Sequence, residues 1–230
     1  MKKDNEPKNK HRYFAKRKVN NKGSEKRPHI ISAFYSNKMQ EVVRFESLRE
    51  NIIGKIVELS TIVDEFYTQP VEVPIMVYNS RRELTQWMHV PDLLVYCNGL
   101  PPYLYQIKSG QARLQSEKHS EHIDRSCQDF ARENGWEYKV IYPYELDATL
   151  RKNIELLFSF RNSANEKASN TIKAVLNATG ELSIELLVKE CQAKAGEINV
   201  PPVIYYELAI GNLYTDLYKP ITLSSIVRMR

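Results

Sequence analysis

In the stretch HVPDLLVYCNGLPPYLYQIKSG, residues 89–110, two short apolar runs flank a turn signal. Asn98-Gly99 favours a chain reversal, and Leu100-Pro101-Pro102 completes the connection, since Pro has no N–H to continue a ladder. The runs on either side read as neighbouring strands, 89–97 and 103–108. A chain with this pair near its centre has to build a sheet around it. The flanking pattern mixes helices with further strands. Phe45, Leu48, Ile52, Ile56 and Leu59 form a stripe that predicts a helix over 40–60. Strands are predicted at 62–67 and 71–78, punctuated by Gln69-Pro70, with a polar turn at 81–86. A long polar helix over 114–134, ended by Asn134-Gly135, a strand over 136–142 and a helix over 148–160 complete this half.

Composition then shifts. RNSANEKASN, residues 161–170, is small and polar and reads as a linker. Beyond it, 171–176, 183–194 and 203–211 read as helices, the last started by Pro201-Pro202. LYTDLYKPITLSSIVRMR alternates like a short strand pair with a turn at Lys219-Pro220. Three short helices followed by a hairpin is the winged-helix order. The expected organisation is a tail over 1–30, a first domain over 31–160, the linker, and a winged-helix-like domain over 171–230.

The tail carries the charge. Residues 1–28 hold 11 Lys and Arg against three acids, so this segment is +8 and the remainder −3 within a net +5. Low apolar content predicts disorder there, and a basic tail either attracts polyanions or simply solvates the chain. It lacks the apolar region of a secretory leader. No apolar run reaches the roughly 18–20 residues that span a bilayer, so no membrane partner is expected. Cys97, Cys127 and Cys191 form no CxxC pair, which argues against a zinc site or a disulfide framework and points to a reducing, cytoplasmic setting.

The two central strands also carry an acid and a lysine. Asp92 heads one; Gln106-Ile107-Lys108 ends the other. Strand alternation puts Gln106 and Lys108 on one face. Phosphodiester hydrolysis needs hard oxygen ligands for Mg²⁺ and a cation beside the attacked phosphate. Asp92, the Gln106 amide and the backbone carbonyl of Ile107 are candidate ligands, and Lys108 is the candidate cation. A further acid is expected from the preceding helix, where Glu46 and Glu50 share a face. Gln111 and Arg113 are candidate phosphate contacts or an ordinary polar helix start. His119 and His122 have a spacing that can bind metal, but nothing completes the set, so a solvated helix face is the reading. Tyr205, Tyr206, Tyr214 and Tyr218 are expected to be packing residues.

Glu on a helix, then PD, then QxK resembles the PD-(D/E)xK nuclease superfamily. The runs RFESLREN, FYTQP, HVPDLLVY, YLYQIKSG and WEYKVIYPYEL are similar to the TnsA family, the endonuclease subunit of heteromeric Tn-seven-like transposases. The resemblance spans about residues 40–230 and is looser in the C-terminal part. Glutamine in place of the second acid is a feature of that family. The resemblance implies a restriction-endonuclease-like mixed sheet flanked by helices, plus a small winged-helix-like domain. It implies Glu50, Asp92, Gln106 and Lys108 as the catalytic set, with Glu46 as a supporting residue or a surface charge. It implies Mg²⁺, with Mn²⁺ able to substitute, and one or two ions. The implied activity is hydrolysis at the 5′ ends of a transposon. A TnsB-like DDE transposase would cut and join the 3′ ends, and a TnsC-like AAA+ ATPase would regulate both. The implied setting is the bacterial cytoplasm, nucleoid-associated during transposition. Two other readings stay open: a winged-helix DNA-binding or adaptor protein, and a free-standing restriction-type nuclease.

Overall fold

The computed structural model describes residues 12–16, 32–78, 81–108, 117–196 and 199–230. It begins with an antiparallel hairpin, β1 (Ser32–Ser36) and β2 (Glu41–Phe45), followed by α1 (Leu48–Leu59). The helix expected over 40–60 therefore starts late. EVVRF alternates, burying Val43 and Phe45, and pairs with SAFYS; that pairing wins over the helical stripe. Leu48, placed in the stripe, is 59% exposed, whereas Ile52, Ile53 and Val57 are buried.

The described chain divides into two compact units, one of residues up to Asn51 together with Ile62–Pro143, the other of Ile52–Thr61 with Tyr144–Arg230. The first unit holds a four-stranded mixed sheet. Its strands are β3 (Val63–Thr68), β6 (Leu93–Cys97), β7 (Tyr103–Ile107) and β8 (Glu137–Ile141), in the order β3-β6-β7-β8. The β3/β6 and β6/β7 pairs are antiparallel, and β7/β8 is parallel. Parallel neighbours need a crossover, and α2 (Glu117–Glu133) is the helix within that connection. Phe66, Leu94 and Leu104 are fully buried, and Phe130 and Ala131 of α2 join the cluster over Leu94 and Leu104.

A separate hairpin, β4 (Val73–Tyr78) with β5 (Leu84–His89), occupies the stretch read as a polar turn at 81–86. Thr85 and Gln86 become strand residues because they pair with Val77 and Met76. Val73, Ile75 and Trp87 pack with Ile123, Cys127 and Phe130 of α2. The strand expected over 89–97 is broken at Val90-Pro91-Asp92, where Pro91 has no N–H for a ladder.

The expected tail is partly ordered. Tyr13 packs against Tyr67, Tyr96 and Trp136, with ring centroids 5.2, 6.5 and 6.0 Å away. The Lys16 N–H donates to the Gln69 carbonyl at 2.9 Å. Tyr13 and Lys16 thereby hold the described stretch, 12–16, in place. The rest of the 1–30 call lies outside the described residues.

In the second unit, α3 (Ala148–Phe160) matches its expected span. Asp147 caps it, accepting from the N–H groups of Thr149 and Leu150. Then come α4 (Glu166–Thr179), β9 (Glu181–Ser183), α5 (Ile184–Ala195), α6 (Pro201–Ala209), β10 (Leu213–Tyr214) and β11 (Ile226–Met229). The three strands form one antiparallel sheet, ordered β10-β11-β9. The core is built from Ile172, Leu176, Ile184, Leu187, Ile204 and Val227. Half of the expected 161–170 linker is helix, because Asn165 caps α4 and Ala168 and Ser169 are buried. The boundary expected near residue 160 also moves. Asn153 of α3 donates to the carbonyls of Leu217 and Lys219 at 2.8 and 2.7 Å, tying α3 to the second unit. Among the described residues no helix is long and apolar enough to cross a membrane.

Candidate active site

Asp92 stands between the Pro91 break and the start of β6. Its backbone is fixed on both sides: the Asp92 N–H donates to the Tyr105 carbonyl at 3.0 Å, and the Asp92 carbonyl accepts from the Gln69 N–H at 2.9 Å. The side chain is fixed as well. Asp92 Oδ2 accepts from Gln106 Nε2 at 2.5 Å and from the Ile107 N–H at 2.6 Å. The other end of the Gln106 amide, Oε1, lies 2.6 Å from His89 Nε2, so in this arrangement Nε2 carries the imidazole proton.

This bridge explains the glutamine chemically. An amide donates to Asp92 with one end and accepts from His89 with the other. A glutamate in its place would meet Asp92 as a second acceptor, and two carboxylates in contact cannot both stay ionised. The expectation for Ile107 concerns its carbonyl; the structure engages its N–H, donated to Asp92.

Lys108 follows one residue beyond β7. Leu104, Gln106 and Lys108 share strand parity, and Leu104 packs in the cluster that contains Ala131 of α2. Lys108 accordingly meets α2. Its Nζ donates to Ser120 Oγ at 2.6 Å and lies 2.8 and 2.6 Å from the two carboxylate oxygens of Asp124. Tyr138, on β8 opposite Leu104, donates its hydroxyl to Asp124 Oδ1 at 2.7 Å. Burial, then this hydrogen bond to Asp124, pushes the Tyr138 phenol well above its ordinary range. Cys127, one helical turn from Asp124, is fully buried and its thiol is pushed up to about 12. Burial is the main cause, followed by the negative charge of Asp124, with Lys108 opposing and Asp92 adding.

Glu50 has a different engagement. Its Oε2 accepts the Glu46 N–H at 2.9 Å and its Oε1 accepts the Ser47 hydroxyl at 2.8 Å. Ser47 Oγ accepts the Glu50 N–H at 3.2 Å. Ser47-Leu48-Arg49-Glu50 is a variant of the capping box, with the carboxylate reaching the N–H one residue before the cap. The described residues contain no group of three or more His, Cys, Asp and Glu side chains placed to hold a metal ion. The acid expected from this helix therefore does not gather with Asp92 into such a group. In donor type what remains, one carboxylate and one amide oxygen with no sulfur, suits a hard cation, but the Gln106 amide faces Asp92 with its nitrogen and His89 with its oxygen, so the two residues would share an ion only with that amide turned over. Mg²⁺ is commonly held by one or two carboxylates, with water and substrate phosphate completing its shell.

Gln111 and Arg113 lie outside the described residues, as does the His119 side chain; His122 is exposed on α2. Four participants escaped the sequence reading: His89, Ser120, Asp124 and Tyr138. A signal for two of them exists. Ser120, Asp124, Cys127 and Ala131 recur at helical spacing, and Cys127 and Ala131 are fully buried. An acid on the buried face of an otherwise polar helix needs a partner. Nothing local marks His89 or Tyr138: Tyr138 arrives by the pairing of β8 with β7, and His89 from the separate β4/β5 hairpin. A scan against protein-family models matches none, and a search of curated proteins finds no match.

Proposed function

We propose that this chain is a metal-dependent DNA endonuclease of the TnsA type, cutting the 5′ strands at transposon ends beside a DDE transposase and an AAA+ regulator. The observation that carries the reading is the junction of β6 and β7, where Asp92, Gln106 and Lys108 emerge from adjacent strand ends with Asp92 locked to the Gln106 amide and the Ile107 N–H. Asp92 would hold Mg²⁺ or Mn²⁺, joined by Gln106 once its amide turns its oxygen from His89 towards Asp92. The bound ion would supply Lewis-acid polarisation of the phosphodiester. Asp92 orients Gln106 and the end of β7, and Lys108 offers positive charge to the phosphate and its leaving oxygen. In finer terms, the mixed sheet with its α2 crossover supports a restriction-endonuclease-like core. The order α4-β9-α5-α6-β10-β11, with β9 paired to β11, supports a winged-helix-like second unit.

One observation favours a second reading. Glu50 is engaged in capping α1, and a three-acid group is lacking among the described residues. A DNA-binding or adaptor protein without turnover would share those features.

Strand-resolved cleavage of transposon-end DNA in Mg²⁺, with and without the transposase and ATPase, separates these readings. Partner-dependent 5′-strand cuts that vanish in Lys108→Ala support the nuclease subunit. Cutting without partners supports a free-standing nuclease. DNA binding with no cutting in any mixture supports the adaptor.

A further inference from the structure

We propose that Asp124 is a positioning residue for Lys108, with Ser120 and Tyr138 completing the support. The inference rests on the nuclease reading and names residues that reading did not require. A lysine side chain has four rotatable bonds and a compact charge, so its head group wanders unless something holds it. Here three oxygens, all from α2, surround Nζ within 2.8 Å. The Lys108 and Asp124 side chains are only 20% and 33% exposed, so the pair is not a loose surface contact.

Asp124 is itself held. Tyr138 donates to Oδ1, and Ser120 Oγ lies 3.5 Å from Oδ2, a long contact at the edge of hydrogen bonding. Support thus runs from β8 through Tyr138 to Asp124 and on to Lys108 at the end of β7. The parallel register sets this geometry: Leu104 faces Tyr138, Ile107 faces Ile141, and the Lys108 N–H donates to the Ile141 carbonyl at 2.9 Å. Backbone and head group of Lys108 are both fixed by the β7-α2-β8 unit. Tyr138 contacts Asp124 directly, and Cys127 lies one helical turn along α2 from it. Asp124 is the carboxylate that contacts Nζ directly. A displacement of about 1 Å at a reacting centre can cost on the order of 100-fold in rate, so freeing Lys108 should be felt in turnover.

The test compares Asp124→Asn, Asp124→Glu and Lys108→Ala in the full cleavage mixture. Asp124→Asn is expected to lower kcat by about 10–100-fold with KM for DNA within about twofold, and Asp124→Glu to recover part of the loss. Lys108→Ala is expected to cut nothing and sets the floor against which the loss in Asp124→Asn is read. A second readout needs no turnover. In ¹H–¹⁵N spectra the Lys108 ammonium, identified by its loss in Lys108→Arg, should give a slowly exchanging signal that broadens away in Asp124→Asn. If Asp124→Asn disturbs folding, Tyr138→Phe and Ser120→Ala replace it, each with a smaller loss.

Unchanged kcat in Asp124→Asn, beside an inert Lys108→Ala, would overturn the positioning role and leave the nuclease reading standing. A rise in turnover would overturn it too, since Asp124 would then restrain Lys108. An ammonium signal indifferent to Asp124→Asn would do the same at any level of activity. Wild-type protein that cuts nothing, yet shows the expected ammonium signal, would overturn the nuclease reading and reduce the pair to a structural ion pair.

Discussion

The Asp92 carboxylate accepts the backbone N–H of Ile107 at 2.6 Å, so a side chain at the head of one strand ties down the end of the next. Removing that acceptor has a structural cost as well as a chemical one. Asp92→Ala leaves a half-buried N–H and the Gln106 amide short of a partner. It is expected to lower stability by about 1–3 kcal/mol. Asp92→Asn keeps an oxygen for Ile107 and removes the charge. Its urea midpoint should stay close to wild type while nicking and Mg²⁺ affinity fall. Equal destabilisation by both variants would mean the carboxylate charge, not the acceptor, holds the strand end.

Gln106 makes a second prediction by its bridging role. Gln106→Glu replaces the donor facing Asp92 with another acid. Without metal the variant should melt below wild type at pH 7 and regain stability as pH falls, when one of the two carboxylates takes a proton. Mg²⁺ should raise its melting temperature more than it raises that of wild type, since a divalent cation offsets the added charge. A thermal scan with and without Mg²⁺ reads both effects, and identical shifts in the two proteins would remove Gln106 from the ion's surroundings.

Glu50 has to be tested against its helix. Ser47→Ala and Glu50→Ala should each cost about 1 kcal/mol by loosening the start of α1. Glu50→Gln retains acceptor capacity and should stay within about 0.5 kcal/mol of wild type. Loss of nicking in Glu50→Gln at unchanged stability would give the carboxylate a role beyond the cap. Full activity would confine Glu50 to capping.

The buried acids of the thiol and phenol kind set an alkaline limit. Burial raises Cys127 from an ordinary 9.0 to about 12, and Tyr105 from 10.0 to about 12. Both are held protonated by the fold, so the unfolded chain loses these protons first. Their contribution is complete below pH 9 and disappears as pH rises towards 12. Urea midpoints should therefore fall steadily over that window. At pH 8 the Cys127 thiol should resist alkylation in the native protein and react after unfolding. Native reactivity equal to that of the unfolded chain would contradict its burial.

The central strands were legible in the sequence because their signals are local. Asn98-Gly99 and Pro101-Pro102 mark the turn, and period-2 alternation fixes which face carries Gln106 and Lys108. The helix Ala148–Phe160 was equally legible, with Asp147 at its start and an apolar stripe along it. Helix 40–60 misled because EVVRF suits either state, and only its pairing with SAFYS selects the strand. Thr85 and Gln86 became strand for the same reason, by pairing with β4 rather than by propensity. The anchoring of Tyr13 needed Tyr67, Tyr96 and Trp136, from three separate parts of the chain.

The site divides along the same line. By itself the sequence determined that Asp92 would stand at one end of a hairpin beside Gln106 and Lys108, since a tight turn brings the outer ends of its two strands together. It did not determine what holds them. His89 reaches Gln106 across 17 residues, and Asp124 reaches Lys108 across 16. Those contacts exist because β4 and β5 pack on α2 and α2 carries the chain across from β7 to β8. Such contacts come from packing at long sequence separation, which hydrophobic period and turn chemistry do not encode; only the tertiary structure decided them.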